Sequence, residues 1–390
     1  MQVTEASLPS ITSQRWRYRL ALLAALAIPS LDIVHKYTGL VGLLLFIPYV
    51  LILIVLSERA SVWLQPPQRR AWCNWLGAAA LLGIVVLFAV LFPIANVHVP
   101  DHGSDTDEAY DLAVRALLDG RYPYYDLTYL GNRIHHLPGA LLLATPFVLL
   151  GTSALQNLFW TAAWLLLLLR ALQPPRGLAL FLLMFAASPV LMHQIVTGSD
   201  GVMSGISVLA ATWLFTHAWQ QTSNSAWQRY GALLLLALAL SNRPNFAPVV
   251  VSVLAFVWHR HGVARVLLPA LWLGVLLALI NLPFYLYDPA GFAPLEGLDR
   301  VTRFDDLLPH AGQLLPLAAF VLALGLATRN DADTFAGVAL ASGLVQALLV
   351  VSGLLLSCIA GGELDLAYAA YGCYFLFPLG YWCWSKLNRV

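Results

Sequence analysis

The chain has 390 residues, 60% of them hydrophobic and only 11% charged, with a net charge of +1 and a mean hydropathy of +0.75. That apolar surface exceeds what a soluble fold can hide, so the chain belongs in a bilayer. The balance near neutrality and the lack of a dense Lys/Arg run exclude nucleic acid as a partner. Cys73, Cys358, Cys373 and Cys383 lie in or beside apolar segments without CxxC spacing, which implies neither a disulfide framework nor a zinc site.

A membrane-spanning helix needs roughly 20 apolar residues. By that measure spans fall near 19–36, 39–57, 75–95, 137–150, 154–170, 177–195, 201–219, 230–258, 265–286, 311–328, 334–360 and 365–385. The prediction is one all-α multi-pass transmembrane domain over residues 1–390, with about eleven to thirteen crossings. The first apolar run follows Arg15, Arg17 and Arg19 and passes into a second without a cleavage site. It therefore reads as a retained helix, and residues 1–72 as an N-terminal hairpin.

Positive charge favours the cytoplasmic side. Arg15, Arg17, Arg19, Arg59, Arg69, Arg70, the 258–265 loop, Lys386 and Arg389 then leave two loops outside, 96–136 and 287–310. Residues 226–259 read either as a hairpin with 241–245 at its outer tip or as one long kinked crossing. Pro244 lacks an amide donor and restrains Arg243 from helix, so a break is expected in both cases.

The first outer loop concentrates carboxylates, tyrosines, histidines and arginines. Residues 107–118 favour a helix, with Ser104 or Asp105 as cap and Glu108 completing a capping box. Ala109, Leu112, Ala113, Ala116 and Leu117 recur at helical spacing, and Gly120 is placed to end it. This predicts a short amphipathic helix on the membrane surface with Asp107 and Asp111 on its polar side, and Asp111 spaced to pair with Arg115. Tyr122, Tyr124 and Tyr125 suit an interfacial aromatic belt. His135 and His136 alone fall short of a metal site. Asp107 is the residue of this loop assigned a functional role.

Asp107-Glu-Ala-Tyr110, the Ala-rich turn, Leu118-Asp-Gly120, Tyr122-Pro-Tyr124 and His136-Leu-Pro138, with an apolar run closing at Leu150-Gly151, resemble the first outer loop of the GT-C glycosyltransferases. The resemblance is closest to the branch with bacterial aminoarabinose and protein mannosyl transferases. It covers this loop and the apolar run after it; elsewhere only hydropathy and topology agree. It implies a GT-C-like bundle in the cell (inner) membrane and a hexosyl- or pentosyltransferase of the cell envelope. The donor would be a polyprenyl-phosphate sugar and the acceptor a glycan, lipid or protein outside the cytoplasm. The family's catalytic carboxylate maps onto Asp107 and its acidic neighbour onto Glu108. Asp105-Thr-Asp107 resembles a DxD pattern, in which Asp105 and Asp107 would hold a divalent metal; no other cofactor is implied. This chain departs from the family in having Arg133, His135, His136 and a single Pro138 where two prolines or a lysine are frequent. Its N-terminal hairpin and the lack of a recognisable C-terminal soluble domain are further departures.

Chemistry gives the same loop a rationale. A polyprenyl-phosphate sugar presents its phosphate at headgroup level, and an inverting displacement needs a base for the acceptor proton and cations for the departing phosphate. Arginine binds phosphate bidentately, so Arg133, Arg243, Arg300 and Arg303 are the clamp candidates. Asp105, Tyr110 and His136 complete the substrate-binding set, and Glu296 or Asp299 would face the sugar. His193, Asn242 and Asn245 read as polar residues at depth that face the protein interior, and Asp200 reads equally as such a residue or as a helix cap. The alternative reading is a transporter or flippase of a lipid-linked or small polar substrate, suggested by broken helices around Arg243 and His193. A third is a catalytically silent scaffold.

Overall fold

Inside hydrocarbon no water is present to bond amides and carbonyls, so a chain this apolar must satisfy them within helices. The computed structural model describes residues 11–97, 104–220, 225–296, 301–361 and 364–387. Within them the secondary structure is helical apart from one antiparallel bridge, Leu127 to Arg133. Asp299, Arg300, Glu363, Arg389 and residues 98–103 of the first loop lie outside the described residues.

The helices are α1 (Ile11–Ala27), α2 (Leu31–Trp63), α3 (Pro67–Ala95), α4 (Thr106–Leu118), α5 (Pro138–Leu149), α6 (Leu155–Ala171), α7 (Pro174–Ala187) and α8 (Pro189–Val196), then α9 (Gly201–Gln220), α10 (Ala226–Leu240), α11 (Val249–His261) and α12 (Leu267–Tyr287). Three more follow: α13 (Ala311–Ala327), α14 (Phe335–Gly361) and α15 (Cys373–Leu387), preceded by a 3-10 turn, Ala367–Gly372. Among the described residues five stretches are long and apolar enough to cross a membrane: Gln14–Trp63, Ala71–Ala95, Gly201–Gln220, Val263–Tyr287 and Phe335–Gly361. The first is folded into two helices by the 3-10 turn Ile28–Ser30, and the Arg19–Glu58 ion pair closes that hairpin at 2.7 Å. Four shorter apolar helices join them. The protein is an all-helical, multi-pass integral membrane protein.

The bundle has two chemically different ends. At one, Lys386 and Arg329 reach Asp331, Arg260 reaches Asp333, His261 meets the Trp219 carbonyl and Trp384 donates to the Arg176 carbonyl. At the other lie the C-terminus of α3, α4, the α8–α9 break and the α10–α11 tip.

Several expected spans are corrected. Residues 137–150 do not cross. The amides of Leu137 and Ala140 bond to the carbonyls of Asn242 and Ser241 at the α10–α11 tip, while Ser153, just past the other end of α5, bonds to Asp107 and Asp111 of α4. Both ends of α5 thus sit at the same end of the bundle, and 12 residues at 1.5 Å each are too short to span. Residues 226–259 form the hairpin and not the single crossing. The 177–195 segment breaks at Pro189, where α7 and α8 bend by 77°; the freed polar groups are met by Ser188 Oγ donating to the Leu26 carbonyl and Ser30 Oγ accepting from the Val190 amide. Residues 365–385 begin as the 3-10 turn and become α-helical only at Cys373.

α4 is amphipathic as expected, but Asp107 lies on its buried face. Positions 107, 110 and 114 share one side at helical spacing, and Asp107, Tyr110 and Val114 are all buried there. The capping box does not form: Asp105 is N-cap without a side-chain bond to the helix. Asp111 does not take up Arg115; it accepts the Ser153 amide at 2.8 Å, holding the start of α6.

Candidate active site

A cavity of about 570 Å³ opens where α4, the α8–α9 break, the α10–α11 tip, α13, α14 and the 3-10 turn meet. That volume suits a small molecule or the head of a larger one. Its lining is mixed. Leu315, Pro316 and Phe320 of α13 and Leu349 and Val350 of α14 supply apolar surface; Asp200, Arg243, Arg303, Ser199 and Thr106 supply polar surface.

The polar surface is organised by Arg243. Its Nε and Nη2 donate to Asp200 Oδ2 at 3.0 and 2.6 Å, and Nη2 also lies 3.0 Å from His136 Nε2. Since a guanidinium only donates, His136 Nε2 accepts and its proton is assigned to Nδ1. Burial first, and the Arg243 charge second, push the imidazole down to about 4, so it is neutral at physiological pH. Burial alone would raise the Asp200 carboxyl, but the Arg243 charge outweighs it and holds it below the usual carboxylate range. Ser204 Oγ links Asp200 to Asn242. Tyr110 packs on the His136 ring with centroids 3.9 Å apart, and Tyr124 donates to the His136 carbonyl. Tyr110 and His136, expected to touch substrate, are instead buried behind Arg243.

Asp107 stands one layer behind the cavity wall. Its Oδ2 accepts from Asn96 Nδ2 at 2.6 Å. Its carboxyl carbon would lie 2.8 Å from a Cβ built on Gly198, which also has φ +69°. Only glycine serves there, because the left-handed backbone and the closeness of Asp107 both exclude a side chain. Thr106 and Ser199, the immediate neighbours of these two residues, line the cavity. Ser199 donates to Ser104, which donates to Thr106.

The remaining first-loop candidates are engaged elsewhere. Asp105 accepts from Thr128 at 2.6 Å and Asn132 at 2.8 Å, and Glu108 from the Tyr129 amide at 2.8 Å. These bonds hold the 126–133 turn against α4, and Asp105 and Asp107 have different hydrogen-bond partners. Among the described residues no group of three or more His, Cys, Asp or Glu side chains could hold a metal ion. Arg133, offered as a clamp, pairs with Glu296, which was expected at the sugar. His135 meets the Ala293 carbonyl at 3.0 Å. Together these contacts tie the first loop to the second. Tyr122 and Tyr124 are buried, not belt residues, and Tyr122 donates to the carbonyls of Phe284 and Asp288; burial, ahead of the Asp288 charge, pushes its hydroxyl up to about 12. Tyr125 donates to the Asp288 carboxylate.

Arg303 lines the cavity, its guanidinium carbon 4.7 Å from the Phe304 ring centroid and 5.1 Å from that of Tyr368. Arg300 lies outside the described residues. Two features went unassigned in the sequence: the pairing of Asp200 with Arg243, and the tyrosines of the 3-10 turn. The signal for the first was a carboxylate in an otherwise neutral polar break; for the second it was a tyrosine at every third position from 368 to 374.

No family model matches the sequence, and no curated protein matches it. Among solved structures the chain is similar to the crystal structure of ArnT from Cupriavidus metallidurans in the apo state, at 14% identity, over 82% of this chain and 78% of that one, with a TM-score of 0.40.

Proposed function

We propose that the protein is a membrane glycosyltransferase of the GT-C type, moving a sugar from a polyprenyl-phosphate donor to an acceptor outside the cytoplasm. The observation that carries this reading is the mixed lining of the cavity. Two arginines, Arg243 and Arg303, line it together with aliphatic side chains of α13 and α14, as an amphiphile with a phosphate head and an isoprenoid tail requires. The resemblance of the loop around Asp107-Glu-Ala-Tyr110 supports it independently. The end of the bundle away from the cavity carries Arg176, Arg260, Arg329 and Lys386. The positive-inside rule assigns that end to the cytoplasm and the cavity to the opposite side of the cell membrane.

In this reading the acceptor hydroxyl oxygen attacks the anomeric carbon and the carbon–oxygen bond to phosphate breaks. Polyprenyl phosphate leaves with the electron pair, and its charge is held by Arg243 and Arg303. Asp107 takes the acceptor proton. Asp200 is the poorer base, because Arg243 holds its carboxylate below the ordinary range; its role is to aim the guanidinium. Glu108 supports the loop. In this reading the acceptor reaches Asp107 past Thr106 and Ser199, which line the cavity.

The test is transfer by the purified full chain in nanodiscs from a polyprenyl-phosphoryl hexose carrying a radiolabelled sugar. Release of labelled sugar to acceptor or water is expected; an intact donor across neutral and amino sugars overturns the reading. The 77° break between α7 and α8 favours the transporter or flippase as the second reading. That protein would move the labelled lipid between leaflets without cleaving it.

A further inference from the structure

Tyr368, Tyr371 and Tyr374 fall at intervals of three in the 3-10 turn and the first turn of α15. A 3-10 helix has three residues per turn, so side chains at i and i+3 eclipse. The rings form a ladder, with centroids 6.0 Å apart between Tyr368 and Tyr371 and 6.1 Å between Tyr371 and Tyr374. All three line the cavity. The ladder runs between the two arginines: Arg303 lies over the Tyr368 ring at 5.1 Å, and Tyr374 stands within electrostatic reach of Arg243.

The fold makes room for this ladder. A Cβ at Gly353 of α14 would lie 2.7 Å from Tyr368 Cδ1, so the ring packs flush on the helix only because that position is glycine. Tyr374 is buried and held edge-on by Phe246 at 5.1 Å, yet its hydroxyl has no hydrogen-bond partner among the described residues. Burying an unsatisfied hydroxyl is costly, and a ligand hydroxyl would relieve it. The α13–α14 wall already serves an isoprenoid chain. The ladder differs from that wall in carrying a hydroxyl on every ring. Aromatic faces are negative and attract the weakly positive C–H face of a sugar, while phenol hydroxyls exchange hydrogen bonds with its rim.

We propose that Tyr371 and Tyr374 form the platform for the sugar ring of the lipid-linked donor, with Tyr368 positioning Arg303 beside it. This rests on the glycosyltransferase reading and adds where the sugar lies: along the start of α15.

The test compares binding of polyprenyl phosphate and polyprenyl-phosphoryl-glucose to the purified full chain, followed by intrinsic tryptophan fluorescence. Wild type is expected to bind the glucosylated lipid about tenfold more tightly than the bare one. Tyr371→Leu brings the glucosylated lipid to the affinity of the bare lipid and leaves the bare lipid unchanged, whereas Tyr371→Phe keeps most of the preference. Tyr371 is 40% exposed, so its replacement reads binding and not folding. Equal weakening of both lipids by Tyr371→Leu, or of neither, overturns the platform, as does a wild type that binds the two lipids equally. A wild type that binds neither lipid overturns the donor reading itself.

Discussion

The carboxylates around α4 and the Asp200–Arg243 pair use the same chemistry to different ends. Asp105, Glu108 and Asp111 sit within a few residues of one another, and each is bonded to a nearby loop: Thr128 and Asn132, the Tyr129 amide, and the Ser153 amide. Asp200 and Arg243 come from segments 43 residues apart, yet they meet at 2.6 Å on the cavity wall. A cluster of acids in sequence therefore marks a loop that must be held in shape. A single acid and a single base in separate apolar stretches mark the place where charge faces the cavity.

The sharpest way to break that contrast is to remove one member of the buried pair. Asp200→Ala leaves the Arg243 guanidinium without its counter-charge, and should cost about 3–5 kcal/mol, read as a lowered midpoint of thermal unfolding in detergent. The same change at Asp105 removes two hydrogen bonds from a loop and should cost about 1–2 kcal/mol.

His136 gives the comparison a pH dependence. Its folded value of about 4 lies below the ordinary 6.5, so the folded protein keeps the imidazole neutral while the unfolded chain protonates it more readily. The associated stability is whole above pH 6.5 and is lost as pH falls through 4, a total of about 3 kcal/mol. Unfolding midpoints between pH 7 and 4 check this, and His136→Gln should flatten that part of the profile.

Gly198→Ala acts where the α8–α9 break meets α4. Alanine at φ +69° against the Asp107 carboxyl should cost about 1–3 kcal/mol, and sugar transfer should fall further than the loss of folded protein explains, because the turn presses on Asp107. The smallest effect is expected at the Arg133–Glu296 pair, which is partly exposed. Arg133→Ala should change stability by less than about 1 kcal/mol and leave donor affinity intact.

Much of the fold is legible in residue order alone. Apolar runs near 20 residues, Pro244 at the hairpin tip and the period of α4 each point to the observed element. The misread segments have a common physical origin. Residues 137–150 are as apolar as any span; only their tertiary bonds to Ser241, Asn242 and α4 show that the helix stays at one end of the bundle. The DxD pattern places two carboxylates near each other in sequence, while the fold gives them separate partners, Asn96 for Asp107 and Thr128 and Asn132 for Asp105. Asp200 was legible as a charged residue in a membrane, but not its distant partner. The tyrosine ladder depends on a 3-10 turn, whose period of three is indistinguishable in one short stretch from an irregular loop.

The base in the proposed reaction is Asp107, the one buried carboxylate among the described residues of the first loop. The direct measurement is single-turnover sugar transfer by Asp107→Asn alongside wild type, with donor binding measured on the same preparations. The account predicts a loss of about 10²–10⁴-fold in the transfer rate with donor affinity within about twofold of wild type. A rate within about tenfold of wild type at unchanged donor affinity would contradict it.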